Sequence, residues 1–121
     1  MRESPPYQWS VYTIDLESVP ASDTSGRRPV LVVSRESANE VLPVVTVLPL
    51  TAHRKGRRVY PNEVLLPSGS AGLKSDAIAM AHQTRTVAKT RLDSPLGMIE
   101  DDVLRLAIRR AMCVQLNLEP A

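Results

Sequence analysis

Two side chains of this sequence stand where a phosphate could be gripped. Arg28 precedes the aliphatic run Pro29–Ser34, and Thr51 follows the run Val45–Leu50. Both runs are rich in Val and Leu and have strand length. If the strands pair, Arg28 and Thr51 meet at one rim of a sheet. A guanidinium offers several donors in a planar fork and stays charged at any working pH, and a hydroxyl adds one more donor to the same anion. On the pair alone, a solvated loop arginine and a strand-end threonine is the plainer reading. His53-Arg54-Lys55-Gly56-Arg57-Arg58, the most basic stretch of the chain, follows Thr51 directly. Such a run is either a solvated face or an attractor of phosphate backbones.

The elements that must position these groups are mostly strands. Residues 1–8 hold two prolines and read as a loose leader. Trp9 to Leu16 alternates and predicts a first strand, and Glu17 to Arg27 predicts a long polar surface loop. Pro29 opens the second strand, where its missing N–H does least harm. Arg35 to Val41 reads as a short helical connection, Val44 to Pro49 as the third strand and Asn62 to Leu66 as the fourth. Pro67 to Gly72 predicts a flexible loop with no side chain large enough to anchor it. Ala77, Ala79 and Ala81 line one face of a further strand and admit a close neighbour. After a polar turn come a short strand, Leu96–Ile99, and a helix from Asp101 to about Asn117. The helix is acidic at its start and basic in its body, with an apolar stripe of Leu104, Ala107, Ile108, Ala111, Val114 and Leu118.

At 121 residues the chain is long enough for one domain with one modest core, spanning 1–121. With no Phe, one Trp and three Tyr, that core must be built of Val, Leu, Ile, Ala and Met. The single cysteine, Cys113, cannot form an internal disulfide, and no Cys/His cluster has metal-ligand spacing. These features, with no export or membrane-anchoring segment, point to a cytoplasmic setting without a metal or other cofactor. A net charge of +2 says little about nucleic acid by itself; its distribution says more.

Arg28-Pro29 before an aliphatic strand, Asn39 in the next connection, and Pro49-Leu50-Thr51 closing the following strand resemble the MazF/PemK family of toxin endoribonucleases. A second block, His82-Gln83-Thr84-Arg85-Thr86-Val87-Ala88-Lys89-Thr90-Arg91-Leu92 followed by Leu96-Gly97 and a closing helix, resembles the family in the same order. The resemblance runs from about Trp9 to Leu118. It implies a mainly β fold, a small, curved SH3-like barrel of the CcdB/MazF type with a C-terminal α-helix, which forms a homodimer. It implies a metal-independent, sequence-preferring endoribonuclease, the toxin of a bacterial toxin–antitoxin pair. The substrate would be single-stranded RNA, cut by attack of its own 2′-hydroxyl, and the inhibitor an antitoxin with a disordered acidic segment. The other readings are a CcdB-like gyrase poison on the same fold and a non-catalytic binder of RNA or peptide.

Within the resemblance Arg28 and Thr51 fall on the motif arginine and threonine that hold the phosphate. Asp23 stands where the family often carries Glu, beside Ser22, and is a candidate acid or base. His82 stands where the family often has a carboxylate or Gln. It titrates near neutrality and is a candidate for proton transfer, or else a strand-end histidine satisfied by backbone. Arg27, His53, Arg54, Lys55, Arg57, Arg58, Gln83 and Arg85 complete the expected RNA-binding set. Trp9 and Tyr60 are candidates for stacking on bases or for packing. Trp9 stands where the family often has glycine.

Overall fold

The computed structural model describes residues 6–15 and 27–119. Seven antiparallel strands and two helices follow one another as β1 (Ser10–Asp15), β2 (Arg27–Val32), α1 (Glu36–Val41), β3 (Val44–Ala52), β4 (Glu63–Leu66), β5 (Ala77–Met80), β6 (Arg85–Ala88), β7 (Leu92–Met98) and α2 (Asp102–Leu116). The strands lie in the order β4-β5-β3-β2-β1-β7, with β6 also pairing β3. Among the described residues β4 and β7 do not pair, so the sheet stays open at its ends while it wraps its core.

Two apolar clusters account for the sequence pattern. Trp9, Val11, Leu31, Val33, Leu48, Leu50, Val64 and Leu66 meet on one face, joined by Ile108 and Ala111 of α2. Ile14, Val30, Val32, Val45, Val47 and Val87 form the second cluster. Residues 30–33 therefore alternate between two cores, which is why they read as an unbroken aliphatic run.

The link from β2 to β3 is closed by Asn39, which has no exposed surface. Its amide nitrogen donates to the Ser34 carbonyl at 2.9 Å, and its oxygen accepts from the Ser34 hydroxyl at 2.6 Å. The Thr46 amide in turn donates to that hydroxyl at 3.0 Å. The motif asparagine is thus a bracket between strands.

The loop at 67–72 differs from expectation. Its main chain lies directly against that of β7: a Cβ on Gly72 would lie 2.2 Å from the Leu96 carbonyl oxygen, and one on Gly97 would lie 2.6 Å from the Ala71 carbonyl carbon. Small residues here permit contact between two main chains. The segment read as a polar turn also holds β6, paired over Val44–Val47 of β3; of its four residues only Val87 is buried.

The closing helix follows its capping signals. Asp101 accepts the Val103 amide at 2.8 Å, and Asn117 ends the helix in the left-handed region. Its stripe divides, with Leu104, Ala107, Ile108 and Ala111 packing on the sheet while Val114 and Leu118 stay exposed.

Trp9 begins β1's approach with φ at +78°, where a side chain is disfavoured. Its N–H donates to the Val32 carbonyl at 2.7 Å and its carbonyl accepts the Ile99 amide at 2.8 Å. The ring is 6% exposed, with the guanidinium carbons of Arg105 and Arg109 at 5.4 and 5.3 Å from its centre. Trp9 is a packing residue and presents no face to a base.

Asn39→Ala leaves the Ser34 carbonyl and hydroxyl without their partner in a buried place. It should lower unfolding free energy by about 1–3 kcal/mol, read from urea titration, with the native far-UV spectrum retained.

Candidate active site

Val30 pairs with Pro49, Leu31 with Leu48 and Val32 with Val47. That pairing ends two residues short of Arg28 and Thr51 and leaves both at the same end of the two strands. Both residues line a cleft of about 460 Å³ at that end of the sheet. Its third wall comes from the start of β5, because Ala52 pairs with Ala77 and Thr51 with Ile78. That pairing brings in Lys74, Ser75 and Asp76, which sequence reasoning missed. The signal available was a charged triplet just before an apolar strand; its neighbour in space depended on a strand order that periodicity does not reveal.

Among the described residues the cleft is lined by Arg27, Arg28, Arg54 and Lys74 against the one carboxylate of Asp76. Arg27 also pairs with Asp93 of β7 in an exposed contact. Asp76 is held from two sides: Oδ1 accepts the Ser68 amide at 2.8 Å, and its carbonyl accepts the His53 amide at 3.0 Å. A guanidinium and a hydroxyl on one face, with further cations at the rim, can bind a phosphate and spread the charge of a five-coordinate phosphorus. Among the described residues no three His, Cys, Asp or Glu side chains gather to hold a metal ion. Ser22 and Asp23 lie outside the described residues.

The basic stretch does not act as one surface. Arg54 lines the cleft, and Lys55 is exposed beside Gly56, whose φ of +84° turns the chain. Arg57 faces the other way, donating from Nη1 and Nη2 to the two oxygens of Glu63, each at 2.9 Å. Arg58 lies over the Tyr60 ring, 5.8 Å from its centre. His53 directs Nε2 at the Arg57 carbonyl at 3.1 Å, so that nitrogen carries the proton. Arg57 is therefore a structural partner of Glu63.

Glu63 is the buried acid among the described residues, 7% exposed. The hydrogen bonds from Arg57, with one from the Tyr60 amide, hold its carboxyl below the usual range against the opposing effect of burial. The same pairing raises Arg57.

His82 is not beside Arg28. It lies in the short 3₁₀ turn after β5, with Nδ1 3.8 Å from Glu63 Oε2, in a separate cavity of about 590 Å³. Ala77, which lines the first cleft, and His82 stand at opposite ends of β5. Gln83 is exposed next to His82, and Arg85 opens β6 opposite Val47. Neither lines the cleft of Arg28 and Thr51.

Comparisons with known proteins agree with this fold. Residues 7–116 match the model of the PemK-like, MazF-like toxins of type II toxin–antitoxin systems. The chain is similar to endoribonuclease MazF9 of Mycobacterium tuberculosis, 35% identical over 94 residues that cover 74% of this chain and 78% of that protein. It is 30% identical over 94 residues to endoribonuclease EndoA of Bacillus subtilis, covering 78% and 80%. In three dimensions it resembles a mycobacterial endoribonuclease solved in complex with its cognate antitoxin, with a TM-score of 0.76 and 25% identity over 96% of this chain and 99% of that one.

The lowered Glu63 carboxyl stabilises the fold fully above its unfolded value, ordinarily 4.5, and less as pH falls through the folded value. Glu63→Gln should therefore melt below wild type at neutral pH, and the gap should narrow below pH 4.5. Thermal melts from pH 3 to 7 on both proteins check the sign.

Proposed function

The chain belongs to the PemK-like, MazF-like toxin family, and from that premise we propose that it is an endoribonuclease, the toxin of a type II toxin–antitoxin pair, cutting single-stranded RNA at the Arg28–Thr51 cleft. The observation that carries the reading is the meeting of these two side chains in one basic cleft.

RNA holds its own nucleophile. The 2′-hydroxyl oxygen attacks the adjacent phosphorus, forming the P–O2′ bond as the P–O5′ bond breaks. The 2′ proton passes to a base and the 5′ oxygen gains a proton on leaving. The products are a 2′,3′-cyclic phosphate and a 5′-hydroxyl, and no metal-bound water is needed. Arg28 holds the non-bridging oxygens and takes up charge as the phosphorane forms; the Thr51 hydroxyl donates to the same group. Asp76 is the carboxylate that the described residues offer this cleft for a proton. His82, a strand's length away, is assigned no part in the proton transfer.

The antitoxin would lay an acidic segment along the same cations and so compete with RNA. Leu116 and Leu118, apolar and exposed at the end of the closing helix, support a second copy of the chain as a partner.

Arg28→Ala should lower single-turnover cleavage of a long single-stranded RNA in EDTA by roughly 100- to 1000-fold, with the fold retained; Thr51→Ala should act in the same direction and more mildly. Native-rate cutting by a folded Arg28→Ala protein would end the assignment. The pH–rate profile from pH 5 to 9 should be unaltered by His82→Gln. Asp76→Asn should lower the rate by roughly 100- to 10,000-fold.

A further inference from the structure

The chain has four aromatic side chains, Tyr7, Trp9, Tyr12 and Tyr60. Three are buried or half-buried, whereas Tyr60 is 51% exposed. It borders the second cavity, about 590 Å³, together with Pro61, Asn62, His82 and Val114. That volume lies within the usual range of small-ligand pockets, about 300–1,000 Å³. An exposed ring in a chain so poor in aromatics serves no core.

We propose that Tyr60 and the cavity beside it form a stacking subsite for an unpaired base of the RNA, separate from the phosphate cleft. The proposal rests on the ribonuclease reading above. Every base has a π face, and a flat ring at the surface binds it whatever its identity. Arg58, already 5.8 Å from the Tyr60 centre, adds a cation on that ring. Asn62 and His82 stand at the rim with groups that can read a base edge. The Asn62 amide nitrogen donates to Gln115 Oε1 at 3.0 Å, which fixes the direction of its oxygen. Glu63, the acid in the cavity wall, is neutralised by Arg57, so the site does not repel a polyanion.

The two sites are tied to one another. Residues 53–62 contribute Arg54 to the cleft and Tyr60 to the cavity. Along β5, Ala77 pairs with Leu66 and Met80 with Glu63, so the cleft end and the cavity end are separated by roughly 10 Å of strand. A few nucleotides of an extended strand span that distance.

The test uses labelled single strands of 2′-O-methyl oligo-A, oligo-C and oligo-U, which carry no free 2′-hydroxyl for the attack, titrated by fluorescence anisotropy at several salt concentrations. Tyr60→Ala should weaken binding roughly 5- to 150-fold, by different factors for the three bases, with the salt slope unchanged and Tyr60→Phe restoring wild-type affinity. Unaltered affinity for all three strands would overturn the subsite. So would a changed salt slope, which would make the effect one of charge through Arg58. A lost dimer in Tyr60→Ala would place a second copy of the chain in the cavity instead. If wild type neither binds these strands nor cuts unmodified RNA, the ribonuclease reading itself fails first.

Discussion

Val30 lies across from Pro49, Leu31 from Leu48 and Val32 from Val47, and that register brings the β2 and β3 walls of the cleft together. A slip of one residue would send each side chain to the opposite face. Here the slip is opposed from both sides, because Leu31, Val33, Leu48 and Leu50 fill one core while Val30, Val32, Val45 and Val47 fill the other. Pro29 and Pro49 donate no backbone hydrogen bond, so near the cleft the alignment rests more on packing than on the ladder. Asn39 and Ser34 close the connection at the other end. Arg28 and Thr51 are thus held by rigid elements, as a phosphate site requires.

Charge acts here through placement rather than sum. The net charge of +2 is small, yet four cations line one cleft with a single carboxylate among the described residues. The screening length is about 10 Å at 0.1 M salt, so cations in that cleft act on a phosphate within it and those elsewhere scarcely do. Arg57 shows the distinction. It stands three residues from Arg54 in the same basic stretch, but Glu63 turns it inward to make a paired, partly buried contact. Arg105 and Arg109 of the closing helix are likewise occupied with the ring of Trp9.

Local signals were legible where local physics decides. The cap at Asp101, the left-handed stop at Asn117, the short helix after Arg35 and the alternating alanines of β5 all lie where their residue types place them. The meeting of Arg28 with Thr51 was legible too, because two adjacent strands joined by a short connection have few ways to pair. Lys74 and Asp76 were not, since their approach depends on β5 pairing with the far end of β3. The distance of His82 from the cleft was hidden for a related reason. Its neighbours in sequence belong to a family motif, but β5 carries it away from the cleft that its chemistry suggested. β6 escaped notice because four residues with one buried side chain leave no periodicity. The seating of Ala71 and Gly72 on β7 is a close approach of two main chains, and residue types alone carry little mark of it.

Of the departures from the family pattern, Trp9 and His82 lie among the described residues and bear on whether the cleft is a working one. A tryptophan at φ +78° costs on the order of 1–3 kcal/mol in backbone strain and persists only where its surroundings over-determine it. They do so here: both backbone groups are bonded, to Val32 and Ile99, and the ring is packed beneath the closing helix. Arg105 adds a bond from Nε to the Ile99 carbonyl at 2.7 Å, so the same few residues bind the sheet to the start of that helix. All of this lies at the Val32 end of β2, while Arg28 stands four residues away toward the other end. His82 is likewise separated from the cleft by the length of β5. Each departure answers to a demand of its own neighbourhood, helix docking in one case and the surroundings of Glu63 in the other. Neither touches the cleft that Arg28 and Thr51 line, so neither argues against chemistry there.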